Sequence, residues 1–306
     1  MTNLNVIIRV FVLVMLFGNF TERLDAVEPR RPLPGRRPLT KIWELTQGLS
    51  GPESSFYDPG SNAIYVSNVA GDATGKDGLG WISKVSLDGK MLEEKWVSGL
   101  DAPKGIRIHD GKLWVSDIDR VHCIDLKNPT EKKTIIIADA KFLNDIAIDP
   151  TGIVYVSDMI TNRIHSISNN VSSVFVEGDQ LEAPNGLLVQ PPYLRVVGWG
   201  QGLQPDFSTK KMGSLYNINL KTKKKSKVTD PFGNLDGLEA LNPKIGGFIV
   251  SDWMNGNIYR TTKSSKPILV YEGQPGTADI GHVSKEGILL VPQMKANMLT
   301  AYKTDF

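Results

Sequence analysis

Between residues 41 and 306 the chain alternates short apolar runs with polar turns, a rhythm that predicts strands rather than helices. Residues 142–158, FLNDIAIDPTGIVYVSD, show the unit most cleanly, with a polar opening and two apolar runs around an Asp-Pro-Thr-Gly turn. Four strands are predicted over 146–148, 153–157, 163–167 and 173–176, and their lengths leave no room for an amphipathic helix. Related segments begin at residues 51 (GPESSFYDPGSNAIYVSN), 102 (APKGIRIHDGKLWVSD), 183 (APNGLLV), 235 (LDGLEALNPKIGGFIVSD) and 278 (ADIGHVSKEGILLV). One such unit cannot bury its own apolar faces, so its neighbours must cover them.

Laying the six copies on one another aligns Glu53, Lys104, Asn144, Asn185, Asp236 and Asp279, at intervals of 51, 40, 41, 51 and 43 residues. This spacing predicts an all-β fold, a six-bladed β-propeller with four-stranded blades over residues 41–306. Radial repetition then points all six polar residues at one central axis. Residues 41–46, KIWELT, precede the first copy and are expected to complete the last blade beside residues 298–303, which removes the free sheet edge.

Three insertions interrupt the repeat. The glycine-rich stretch 69–80 lacks the phosphate-loop pattern and is expected to be a lid over the axis or a long hairpin. Residues 199–212 are expected to form an exposed excursion, and the basic run KTKKKSK at 221–227 to solvate a hairpin. Ahead of the repeat, residues 1–26 carry Arg9 and an apolar run at 10–18, the pattern of a cleaved secretion signal. Residues 27–40, with EPRRPLPGRRP, are expected to be an extended linker. The expected location is periplasmic or secreted, with membrane attachment only if the N-terminal segment stays uncleaved.

Composition narrows the function classes. With 35 basic against 33 acidic residues in 306, nothing marks a broad nucleic-acid surface. The lone Cys123 sits between apolar neighbours and is expected to be buried and inert. The repeated pairs Ser116-Asp117, Ser157-Asp158 and Ser251-Asp252 are expected to brace turns, because three catalytic dyads in one ring would be an odd use of it. No serine-hydrolase elbow accompanies Ser54 or Ser55. Glu53, Asn144, Asn185 and Asp236 together offer two carboxylates and two amide oxygens. That hard donor set suits Ca2+, with Zn2+, Mn2+ or Mg2+ as alternatives, although the same residues could simply cap turns. Lys104 and Asp279 could pair with each other, bind substrate, or stay in separate turns.

The ordered motifs GPES (51–54), LND (143–145), PNG (184–186) and LDG (235–237) resemble the gluconolactonase/regucalcin (senescence marker protein) family. More distantly the chain resembles the paraoxonase, diisopropyl fluorophosphatase and strictosidine synthase-like propellers. The resemblance implies that Glu53, Asn144, Asn185 and Asp236 ligate one catalytic divalent ion in a hydrolase of lactones or related esters. It further implies that Asp236 assists attack by water, and that Lys104 stands near the substrate where gluconolactonase-like members often carry arginine. Asp279 and His282 are the remaining candidates for substrate contact, His282 also for catalysis. The expected partner is a small lactone or ester, with no nucleic acid, bound by a monomer. The alternatives are a propeller that uses the same ion only to bind a ligand, and a protein-interaction scaffold.

Overall fold

The computed structural model describes residues 39–243, 246–261 and 266–304. The expected signal peptide and all but the last two residues of the expected linker lie outside them. β1 (Thr40–Leu45) comes first. Blade 1 holds β2 (Pro52–Asp58), β3 (Ala63–Asn68), β4 (Gly80–Ser86) and β5 (Met91–Leu100). Blade 2 holds β6 (Pro103–His109), β7 (Lys112–Asp117), β8 (Arg120–Asp125) and β9 (Lys132–Ile136). Blade 3 holds β10 (Leu143–Ile148), β11 (Val154–Asp158), β12 (Arg163–Ser168) and β13 (Val171–Glu177). Blade 4 begins with β14 (Pro184–Gln190) and β15 (Tyr193–Gly198), detours through a two-stranded hairpin of β16 (Gly200–Gln201) and β17 (Lys211–Met212), and ends with β18 (Leu215–Asn219) and β19 (Lys225–Lys227). Blade 5 holds β20 (Leu235–Ala240), β21 (Phe248–Asp252), β22 (Asn257–Thr261) and β23 (Ile268–Tyr271). Blade 6 holds β24 (Gly281–Val283), β25 (Ile288–Gln293) and β26 (Met298–Lys303), and β1 pairs antiparallel with β26 as its fourth strand.

The first strands of the blades touch in the order β2, β6, β10, β14, β20, β24 and back to β2, so the ring closes around an axis. Six apolar clusters fill the six gaps between neighbouring blades. Tyr155 and Ile164 of blade 3, for instance, pack with Leu187 and Tyr216 of blade 4. Fully burying one such side chain contributes about 1.5–3 kcal/mol, and each face obtains it only from the next blade. The closing strand joins the same scheme. Trp43 of β1 packs with Leu299 and Val66, and its indole N–H donates to the Leu87 carbonyl at 2.9 Å.

A shared distortion sets up the axis. In five inner strands the ladder slips after the residue that precedes the axial position, between Pro52 and Ser55, Pro103 and Ile106, Leu143 and Ile146, Pro184 and Leu187, and Leu235 and Leu238. Two residues on the inner strand thus face one on its neighbour, a β-bulge that frees the axial residue from the ladder. In three of the five the serine opposite the bulge takes up the orphaned N–H. Ser67 Oγ accepts from Ser54 N at 2.9 Å, Ser157 Oγ from Asp145 N at 3.0 Å and Ser251 Oγ from Gly237 N at 2.7 Å. The aspartates of the Ser-Asp pairs brace more than the turn that follows them. Asp117 accepts from the N–H groups of Asp101 and Ala102, and Asp158 from those of Lys141 and Phe142, so both fix the chain entering the inner strand.

Glycine after the axial residue lets inner strands meet. A Cβ on Gly186 would lie 2.1 Å from the Asp236 carbonyl oxygen, and one on Gly237 2.5 Å from Ile280 N. The glycines of the PNG and LDG motifs are therefore required by close backbone approach.

Candidate functional site

All six aligned residues are buried: Glu53, Lys104, Asn144, Asn185, Asp236 and Asp279 are each 5% exposed or less. Glu53 lies within electrostatic reach of Asp236, Asp279, Lys104 and Asp145, and Asp236 within reach of Asp279 and Asp145, so side chains from five blades share one polar core. Asn185 adjoins Asp236 and favours its charged form, without the geometry of a full hydrogen bond. Burial, reinforced by the neighbouring carboxylates, pushes the carboxyl groups of Glu53 and Asp236 well above the usual range.

The decisive feature is what these groups lack. Glu53 Oε2, Asn144 Oδ1, Asn185 Oδ1, Asp236 Oδ1 and Asp279 Oδ1 are buried oxygens with no hydrogen-bond partner in the protein. Buried acceptors are rarely left unpaired, since each costs about 1–3 kcal/mol. Among the described residues no group of three or more His, Cys, Asp or Glu side chains is arranged as a metal site. The four aligned candidates comprise only two carboxylates, the other two donors being amides.

Lys104 and Asp279 do not pair with each other. Lys104 Nζ donates to the Ala102 carbonyl at 2.9 Å and the Ala73 carbonyl at 3.1 Å, and lies 4.4 Å from the centre of the Phe142 ring. Burial lowers its pKa to about 8 against the pull of Glu53. Asp279 Oδ2 instead accepts from Ser54 Oγ at 2.6 Å and from Arg107 at 3.3 Å. His282 turns elsewhere. Its Nδ1 meets the Ala240 carbonyl at 3.0 Å and the Ser284 hydroxyl at 3.2 Å, at the far ends of β20 and β24 from the axial carboxylates.

Arg107, which the repeat does not single out, is the central cation of a second layer. Its guanidinium lies 3.3 Å from Asp279, 3.4 Å from Asp145 and 3.7 Å from Glu239, three carboxylates from three other blades. Burial opposes its charge, and these carboxylates outweigh that cost and raise its pKa. Glu239 is pushed up to about 7 by burial, with Arg107 pulling the other way. Asp145 also receives the N–H groups of Ile146 at 2.6 Å and Leu187 at 2.7 Å, which ties the bulged start of β10, where Asn144 sits, to β14. The available signal was a charged residue three positions after the axial one, in GIRI and GLEA.

Above the polar core runs an apolar collar. Val69, Ile118, Met159, Trp199, Trp253 and Met294 occupy one position, immediately after the second strand of each blade. Val69, Ile118 and Met294 pack together, as do Met159, Trp199 and Trp253 with Phe142, and the Trp253 indole reaches Met294 Sδ at 3.3 Å. Two of the three insertions join this roof. Ala73 of the 69–80 loop packs on the first group and accepts from Lys104, while Lys76 pairs with Asp119. The 199–212 excursion, expected to be exposed, folds its aromatic residues inward. Trp199 is 5% exposed and Phe207 packs on Phe142 at 5.3 Å between ring centres. The run at 221–227 does form a hairpin, although Lys225 is drawn 2.6 Å from the buried Glu182. Cys123 is buried, and burial raises its thiol pKa.

No known protein family and no curated protein sequence matches the chain. Solved structures do. A catalytically inactive variant of virginiamycin B lyase from Staphylococcus aureus, crystallised with quinupristin, matches with a TM-score of 0.57 and 14% identity over 87% of this chain and 98% of that one. A chain of a nidogen/laminin complex matches with a TM-score of 0.55 and 14% identity over 73% of this chain and 90% of that one. These likenesses are to the fold. One neighbour is an enzyme and the other belongs to a protein complex, so shape alone does not choose between catalysis and binding.

Proposed function

We propose that this propeller is a divalent-cation-dependent hydrolase of lactones or related esters, acting at its axial core. The observation that supports this reading is the set of unpartnered buried oxygens on Glu53, Asn144, Asn185 and Asp236. Four acceptors without donors are a costly arrangement for a protein alone and a suitable one for a hard cation. Those four side chains would hold it. Oxygen donors with two negative charges fit Ca2+ best, then Mg2+ or Mn2+, and Zn2+ least. When bound, such an ion polarises a carbonyl and stabilises the oxyanion that forms on it.

The chain's own groups supply the remainder. Asp236 is the carboxylate placed to act as base, since its Oδ1 carries no internal hydrogen bond. It would take a proton from the attacking water as the water oxygen bonds to the carbonyl carbon. The acyl carbon–oxygen bond then breaks and the proton passes to the leaving alkoxide. Lys104 uses two of its three N–H donors on Ala73 and Ala102, which leaves one for a substrate oxygen. Asp279, clamped by Ser54 and Arg107, presents Oδ1 to hold a hydroxyl or water. The collar above excludes bulk water, which strengthens each of these interactions.

The test combines metal analysis of the purified chain with turnover of lactones, aryl esters and phosphotriesters, before and after chelation. Hydrolysis should require a divalent ion, and Asp236→Asn should lower kcat by at least about 10²-fold. Cation binding with no turnover on the whole panel would overturn the hydrolase and leave a metal-dependent ligand-binding propeller.

A further inference from the structure

Outside the collar lies a half-open cavity of about 830 Å³, bounded by the 69–80 loop at Thr74, the turn after β11 at Ile160 and Asn162, residues 179–183, and the β16–β17 hairpin. Leu203, Ala183 and Phe207 line it and also pack with the collar residues Trp199 and Met159, so the cavity adjoins the roof of the axial core. Its chemistry differs from that of the core. Gln180, Gln201, Gln204 and Asn162 contribute carboxamides, Asp179 is its one charged residue, and no lysine, arginine or histidine lines it among the described residues.

Three of the four carboxamides have internal partners. Gln180 Nε2 donates to the Glu177 carbonyl at 2.9 Å and Gln204 Nε2 to the Gly202 carbonyl at 2.7 Å, so each keeps its Oε1 as an acceptor. Asn162 is occupied on both sides, by Ala183 N at 2.7 Å and by Asp179 at 3.3 Å. Gln201 keeps its whole amide. Lys225, beside Gln180, is tied down on Glu182 and on the Gln180 carbonyl. A ligand group here therefore meets acceptors, one free amide, the Asp179 carboxylate already held by Asn162, and an apolar wall of Ile160, Leu203 and Phe207, with no cation to balance a negative charge.

We infer that this cavity is a substrate subsite that receives an uncharged hydrogen-bond donor group, an amide N–H or a hydroxyl, carried on an arm extending from the ester or lactone. The inference rests on the axial hydrolase reading for its substrate, and on the cavity alone for its selectivity. Carboxylates and phosphates present only acceptors to Gln180 and Gln204 and would be desolvated against Phe207 without a partner. The subsite therefore selects against acidic arms, such as those of sugar acids.

The experiment uses the full chain and matched esters that share one reacting group, with arms of several lengths ending in a carboxamide, a carboxylate or a trimethylammonium, together with the armless parent. The carboxamide arm should exceed both charged arms at least tenfold in kcat/KM at its best length. Gln201→Lys should raise the ratio of carboxylate-arm to armless-parent kcat/KM at least tenfold. A second readout needs no turnover. Non-hydrolysable ether analogues of the three arms are titrated by tryptophan fluorescence, since Trp199 adjoins the cavity through its indole hydrogen bond to the Phe207 carbonyl at 2.8 Å. If nothing is hydrolysed but the carboxamide ether binds selectively, the subsite stands and the hydrolase reading falls. Equal rates and equal binding for all arms, or preference for a charged arm, overturn the subsite.

Discussion

At the scale of single residues, the axial core is an arrangement of charges that makes sense only as a set. Lys104 is stabilised by two carbonyls and an aromatic face, and Asp279 by Ser54 and Arg107. Arg107 is the group on which the second layer depends. Removing it strands Asp145, Asp279 and Glu239 without their shared counter-ion in a dry interior, and stranded buried charges typically cost 3–5 kcal/mol. Arg107→Met should therefore lower unfolding stability by about 3–5 kcal/mol in urea titrations. Arg107→Lys keeps the charge but loses the planar fork that spans three carboxylates, and should recover only part of that loss. A Met variant as stable as the parent would show that the carboxylates do not rely on the guanidinium.

Among the elements, β1 carries more than its length suggests. It supplies the fourth strand of blade 6 and covers β26, whose N–H and C=O groups would otherwise form an open edge. Trp43 also fills the gap between blades 6 and 1. Deleting everything up to and including Thr46 should lower the melting temperature and produce concentration-dependent association, seen by light scattering. A shortened chain that associates no more than the parent and melts unchanged would mean that the ring closes without β1. The inner-strand bulges matter for a different reason: they turn axial side chains inward while the rest of each strand keeps its ladder.

For the molecule as a whole, six blades bring buried acids together, and stability becomes linked to pH and, under the proposed function, to a cation. The folded pKa values of Glu53 and Asp236 lie above their unfolded ones. The stability linked to their protonated forms is complete below the usual carboxylate range and is lost as pH rises through the folded values. The cation-free chain should thus melt at lower temperature at pH 8 than at pH 5. Saturating Ca2+ should restore stability, by on the order of 5 °C at a hundredfold excess over Kd, and more at pH 8, where fewer protons compete for the same oxygens. Calorimetry across that range checks it, and a melting temperature that ignores Ca2+ at both pH values would remove the support for a cation at the axis.

The repeat by itself determined the architecture, because period-two alternation with a unit of about forty to fifty residues has few solutions that bury every face. It also aligned six residues that prove to be buried at the start of the inner strands, and determined that the chain's first strand closes the ring, since both follow from counting units. Only the tertiary structure decided what those residues touch. Alternation from Lys104 would turn Arg107 away from the axis, but the extra residue of the bulge reverses the parity and returns it inward, as it does Glu239 after Asp236. The same is true of Trp199 and Phe207, whose segment reads as a polar excursion until Phe142 and Met159, distant in sequence, give its aromatic rings somewhere to pack. Strand pairing is written in local pattern, whereas contacts across the axis depend on how five other blades are turned.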